Sequence, residues 1–117
     1  MIYRIASSSL TFNGKTYSAV SGPYGQGKLP AGNYEVKVNH AVVDGLGASF
    51  CAGGTCFFIP IKPLFACSRD GFGIHPDGHI TGTKGCIGLS GTDASAFWTD
   101  WMALSLGNRP RSMIVMA

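Results

Sequence analysis

Residues 9–20 read SLTFNGKTYSAV, and the Asn13-Gly14 pair at their centre decides the fold class. Asn-Gly between two apolar-rich runs is the strongest short-range signal for a β-hairpin. Its tight turn needs positive φ at both central residues, and these two residue types tolerate it best. The runs at 2–6 and 9–12 therefore read as strands, and Lys15 to Val20 reads as the returning one. Working outward, Ser21 to Gly32 is a loop of fixed turns rich in Gly and Pro. Tyr34 to Val38 alternates with period two, the mark of a half-buried strand. Asp44-Gly45 is a further turn, and residues 46–56 read as a long surface loop. Phe57 to Ile61, bounded by Pro60 and Pro63, reads as an edge strand. Phe72 to His75 and Cys86 to Leu89 are short apolar pieces about a Gly-rich turn, and Met113 to Met116 is a last strand.

One stretch alone has helical spacing. Ala94, Phe97, Trp98, Trp101, Met102 and Ser105 recur at three- and four-residue intervals. Thr92 or Asp93 can cap the start, Gly107-Asn108 ends it, and Pro110 forbids resumption. The expected architecture is mainly β: an antiparallel β-sandwich or partial barrel with one amphipathic helix near the C-terminus. Residues 1–117 are expected to form a single domain, since 117 residues is close to the usual size of one.

Composition narrows the function. Apolar residues are 45% and charged ones 13% of the chain, with seventeen glycines and six prolines, which excludes disorder and suits short strands joined by tight turns. No apolar run reaches 18 residues, so no membrane span is expected. The net charge is +3. Its cations are scattered rather than clustered with aromatics, which argues against nucleic acid as a partner. A mildly basic chain suits an anionic polymer such as a cell wall. The opening MIYRIASSSLTF lacks the apolar core of a secretory signal, so the chain is expected to be made without a signal peptide. Cys51 and Cys56 flank a short Ala-Gly-Gly-Thr loop. They read as a small disulfide hairpin or buried thiols in preference to a metal clip, because a second well-spaced ligand pair is missing.

The chemistry concentrates in residues 69–90, RDGFGIHPDGHITGTKGCIGLS. These 22 residues hold two of the three histidines, one cysteine and six glycines. Cys86, preceded by Gly85, sits in a tight turn whose amide N–H groups could converge on an oxyanion. A cysteine nucleophile needs a neighbouring imidazole to take its proton, and His75 stands eleven residues earlier. A strand ending near His75, a turn through Gly78 and Gly82, and a return to Cys86 would bring the two together. Asp77 or the Pro76 carbonyl would fix the imidazole tautomer. Arg69 and Lys84 would lower the thiol pKa or hold a substrate carboxylate. A metal site of His75, His79 and Cys86 and a purely structural role are the competing readings of the same residues. His40 stands alone at a strand end and carries no reading.

Ile74-His75, followed by Thr83-Lys84-Gly85-Cys86-Ile87, resembles the signature of the L,D-transpeptidase catalytic domain. Gly27 to Tyr34 (GKLPAGNY) resembles that family's G-x-hydrophobic-P-x-G-x-Y approach to a strand. Leu10-Thr11-Phe12, Gly14 and Ser21-Gly22 are similar to the opening hairpin of a compact branch, which includes type VI-secreted effectors that attack peptidoglycan. Lys84 stands where many members have a second His, and Gly88 where they carry Arg or Asn.

The resemblance implies an L,D-carboxypeptidase or L,D-transpeptidase. In that reading Cys86 is the nucleophile on a stem tetrapeptide, His75 the general base and Gly85 part of the oxyanion hole. Thr83, Lys84, Arg69, Asp77 and His79 are then the candidate substrate-binding residues. It implies no cofactor and no metal. Peptidoglycan stem peptides are the partner, with an immunity protein if the chain is an effector, and the bacterial periplasm is the place of action after delivery. The alternatives from other classes are a catalytically inactive wall-binding module and a different cell-wall cysteine hydrolase.

Overall fold

The structure, a computed structural model, describes residues 1–23, 27–78, 83 and 85–117. Strands β1 (Ile2–Arg4), β2 (Ser9–Phe12), β3 (Lys15–Val20) and β4 (Gly32–Val36) come first. A short ribbon of β5 (Cys51–Ala52) and β6 (Thr55–Cys56) follows, then β7 (Ile59–Pro63), β8 (Gly73–Pro76) and β9 (Ile87–Leu89). Helix α1 (Gly91–Ala103) and β10 (Ser112–Met116) complete the chain. Eight strands close on themselves in the order β1-β10-β4-β7-β8-β9-β3-β2, while β5 and β6 pair only with each other. Among the described residues the protein is mainly β with one α-helix, as expected.

The β2–β3 hairpin forms in the expected register, Phe12 opposite Lys15. Asn13 at φ 52° and Gly14 at φ 77° make the two-residue turn in which both central residues are left-handed. Period-two burial then sends Leu10, Phe12, Tyr17 and Ala19 inward. In the 27–34 segment, Tyr34 is fully buried and its hydroxyl donates to the Pro30 carbonyl at 2.6 Å. Gly32, at φ +143°, lies under the Phe65 ring, where a Cβ would come within 2.5 Å of ring carbon.

Three expectations need correction. The sheet is mixed rather than antiparallel: β1 runs parallel to β10 and β8 parallel to β9. β9 begins at Ile87 beside Ile74 near the start of β8, so the two strands are parallel neighbours and not the arms of a hairpin. Next, β7 is no edge strand, for it lies between β4 and β8. Pro60 is tolerated there because the carbonyl its missing N–H would have met, that of Lys37, accepts from His40 N–H in a 3-10 turn at Val38–His40. Finally, residues 46–56 are not simply a surface loop. They contain a 3-10 turn at Ala48–Phe50 and the β5–β6 ribbon, whose ends are joined by a Cys51–Cys56 disulfide.

Helix α1 begins earlier and ends sooner than its spacing suggests. Ser90 is the N-cap residue, and the helix stops at Ala103. Ala94, Phe97 and Trp101 are buried, while Met102 is exposed and Ser105 lies beyond the last turn. Asp93 accepts the Ser18 backbone N–H at 2.6 Å, fixing the first turn to β3. At the other end, Arg109 Nε donates to the Trp101 carbonyl at 3.1 Å, a cation on a C-terminal carbonyl. Phe97 meets the rings of Phe12, Tyr17, Phe57 and Trp101 at centroid distances of 5.2–5.8 Å. Burying each such side chain contributes about 1.5–3 kcal/mol, so this cluster seats the helix. Among the described residues, no helix is long and apolar enough to cross a membrane.

Candidate active site

The β8–β9 pair builds the site. Its parallel register sets Ile74 opposite Ile87, His75 opposite Gly88 and Pro76 opposite Leu89. Side chains alternate across a sheet, and Ile74, Ile87 and Leu89 are fully buried in the core. The other face therefore carries His75, and Cys86, one step before Ile87, stands on that same face across from Gly73. Cys86 and His75 are thus diagonal neighbours on one side of the strand pair.

His75 is 5% exposed. Its Nδ1 lies 2.7 Å from the Pro76 carbonyl oxygen. A carbonyl can only accept, so Nδ1 carries the proton and Nε2 keeps its lone pair. Burial holds the imidazole below its ordinary pKa, against the opposing pull of that hydrogen bond and of Asp77. The result is a neutral imidazole in one tautomer, the form required of a base.

Cys86 is half-buried and free, its Sγ donating to the Gly71 carbonyl at 3.7 Å. Burial raises the thiol pKa, while the Gly73 backbone and the Arg69 charge favour the thiolate. At neutral pH it is a protonated thiol. Among the described residues no direct hydrogen bond joins Cys86 to His75. Catalytic pairs in unliganded enzymes are often loose and tighten on substrate.

The turn before Cys86 is organised by Thr83, 5% exposed. Its hydroxyl accepts the backbone N–H of Gly22 at 3.1 Å and of Gly85 at 3.2 Å, and donates to the Cys86 carbonyl at 2.7 Å. Its own N–H donates to the Gly22 carbonyl at 2.8 Å. The Gly85 amide is therefore engaged by Thr83. Gly85 has φ +115°, and a Cβ there would lie 2.2 Å from an Arg69 guanidinium nitrogen. That guanidinium donates to the Lys28 carbonyl at 3.0 Å and the Gly27 carbonyl at 3.4 Å, and rests on the Phe72 ring. Arg69 is thereby a strap from the 27–28 segment to the cysteine turn. Gly88, opposite His75, lies beneath Thr83 and Asp77, whose Cγ2 and Cβ a Cβ at Gly88 would approach to 2.7 and 3.1 Å.

Of the sequence candidates, Cys86, His75, Gly85, Thr83, Arg69 and Asp77 belong to this one neighbourhood. His79 and Lys84 lie outside the described residues, as does Gly82. Among the described residues, no group of three or more His, Cys, Asp or Glu is placed to hold a metal ion.

Two aromatic neighbours escaped sequence reasoning. Phe50 meets the His75 ring edge-on at 4.9 Å, and Phe58 stacks over it at 5.9 Å and 16°. Gly73 makes room for Phe58, since a Cβ there would lie 2.2 Å from the Phe58 ring. The signal for Phe58 was present: strand alternation sends Phe57 inward and Phe58 to the opposite face. Phe50 gave none, because only the tertiary fold carries residues 48–56 to β8.

Compared with known proteins, the chain matches no family model and no curated protein sequence.

Proposed function

We propose that the chain is a cysteine-dependent peptidoglycan-modifying enzyme, an L,D-carboxypeptidase or L,D-transpeptidase acting on stem tetrapeptides. The observation that carries the reading is the shared face of β8 and β9, with a tautomer-fixed His75 diagonal to a free Cys86. The His75 and Cys86 elements and the GKLPAGNY segment supply the substrate class through their resemblance to the L,D-transpeptidase domain, whose barrel type this reading also assigns. In the proposed reaction, Cys86 Sγ attacks the carbonyl of the L-to-D peptide bond as His75 takes the thiol proton. That proton passes to the leaving amine, D-Ala departs, and the acyl group remains as a thioester on Cys86. Water then releases it as the free acid, or an amine acceptor takes it in crosslinking or D-amino-acid exchange. With the Gly85 amide held by Thr83, the reading gives the oxyanion to the Cys86 N–H. Arg69 biases the thiol toward thiolate. The place of action in this reading is the bacterial periplasm.

Mass analysis of purified muropeptides after incubation with wild type and Cys86→Ala tests the proposal. Loss of D-Ala from tetrapeptides by wild type alone is the carboxypeptidase result, and dimers or exchanged D-amino acids are the transpeptidase result. Muropeptides unchanged by wild type would reject the enzyme and favour a wall-binding module.

A further inference from the structure

The disulfide loop and the proposed base are joined by an arrangement that the catalytic reading leaves unused. Phe50 immediately precedes Cys51, and Phe57 and Phe58 immediately follow Cys56. Both rings that touch His75 thus flank one disulfide. Their anchorage differs. On the Cys56 side, Phe57 is fully buried and stacks on Trp98 at 4.5 Å. Phe58 exchanges both backbone hydrogen bonds with Val42 at 2.9 Å. On the Cys51 side, Phe50 has a single-turn 3-10 segment, closed by Phe50 N–H to the Gly47 carbonyl at 3.0 Å, and a ribbon two residues long per strand. A two-stranded ribbon of that length has no stability of its own. The cross-link ties Phe50 to the anchored side, which is fastened to α1 by the Thr55–Ser95 hydroxyl contact at 2.7 Å. The same segment lies on the chain just after His75. A Cβ on Gly78 would come within 2.3 Å of the Ala48 carbonyl oxygen and 2.5 Å of Ser49 Cα.

We propose that Phe50 is a positioning residue for His75 and that the Cys51–Cys56 disulfide holds it in place, so that the site is assembled only while that bond is closed. The proposal rests on the reading of His75 as the general base. A dithiol opens the bond by two-electron reduction: two thiols form on the protein, and the reductant becomes a cyclic disulfide. Phe50 then loses its covalent tie and is left with its edge contacts to Phe58 and His75, so water reaches the imidazole edge and the base is less well held. A protein built in this way is quiet in a reducing compartment and competent in an oxidising one. Among the described residues, Asp77 is the charged group acting on the imidazole, and Arg69 acts on the Cys86 thiol; reduction adds the Cys51 and Cys56 thiols beside Phe50. Neither Asp77 nor Arg69 is altered by it.

The test follows the His75 ring protons by NMR through a pH titration, and needs no activity. With dithiothreitol, the His75 midpoint is expected to move up toward the ordinary histidine value as its shielding falls. Phe50→Ala in the oxidised protein is expected to give the same upward move, and reduction of that variant no further one. Cys51→Ser/Cys56→Ser should reproduce the reduced protein; if it fails to fold, reduced wild type and Phe50→Ala still decide. A midpoint unchanged by reduction, or a reduction shift that persists undiminished in Phe50→Ala, overturns the proposal. Parallel muropeptide assays separate the two readings. A shift in an inactive protein rejects the enzyme and keeps the disulfide's control of His75, whereas an active protein with no shift does the reverse.

Discussion

Replacing Thr83 with Val should loosen the cysteine turn more than any other isosteric change near the site. The two side chains have nearly the same shape, so the substitution removes a hydroxyl and little volume. That hydroxyl serves three backbone groups, Gly22 N–H, Gly85 N–H and the Cys86 carbonyl. Leaving a buried backbone group without a partner costs about 1–3 kcal/mol. The three together set an upper range near 9 kcal/mol, but Cys86 is only half-buried and water can reach part of the turn. About 3 kcal/mol is the expected loss. With a urea slope of about 1.5 kcal/mol/M for a domain of this size, the midpoint should fall by about 2 M. Thr83→Ser keeps the hydroxyl and loses only the methyl over Gly88, so it should fall by less than half as much. The assay is urea unfolding followed by far-UV circular dichroism, with Cys86 alkylation rates alongside, which should rise in Thr83→Val as the turn opens. A Thr83→Val midpoint within about 0.3 M of wild type would refute the hub role assigned to this hydroxyl.

Arg69→Gln removes the charge that favours the Cys86 thiolate, so the pH profile of iodoacetamide alkylation should move to higher pH; an unmoved profile contradicts the strap's electrostatic part. His75 has a folded pKa below its ordinary 6.5, so the unfolded chain takes up the proton first. Its contribution is complete above about pH 6.5 and is lost as pH falls through that value toward the folded pKa, and His75→Gln should flatten that stretch of a stability–pH curve. Asp100, held below the usual carboxylate range by hydrogen bonds from Tyr17 and Lys15, stabilises the fold above about pH 4, and this is lost on further acidification. Asp100→Asn should therefore be less stable at neutral pH and show a shallower acid limb, read by thermal melts from pH 2 to 7.

What was legible in the sequence was mostly local. Asn13-Gly14 specifies its turn because two residues settle the geometry, and the Phe97–Trp101 spacing specifies a helix because one face suffices. The Pro76 carbonyl was a candidate for the imidazole because it is adjacent in the chain. The β8–β9 register sets Cys86 and His75 on one face of the strand pair, through a parallel pairing and not through the expected turn. Nothing within residues 77–86 distinguishes an antiparallel return from a parallel one, and that choice is made by the partners of β9, which include β3. The helix boundary moved because Asp93 bonds to β3 instead of capping. The aromatic wall about His75 depends on contacts between residues far apart in the chain, and no local pattern encodes it.

The central claim, that Cys86 is a nucleophile served by His75, is tested most directly by intact-protein mass spectrometry after acid quench of a reaction with a stem tetrapeptide. The account predicts an adduct of the acyl fragment lacking D-Ala, mapped to Cys86, absent in Cys86→Ala and strongly diminished in His75→Ala. An adduct on Cys67, or D-Ala release undiminished in Cys86→Ala, would contradict it.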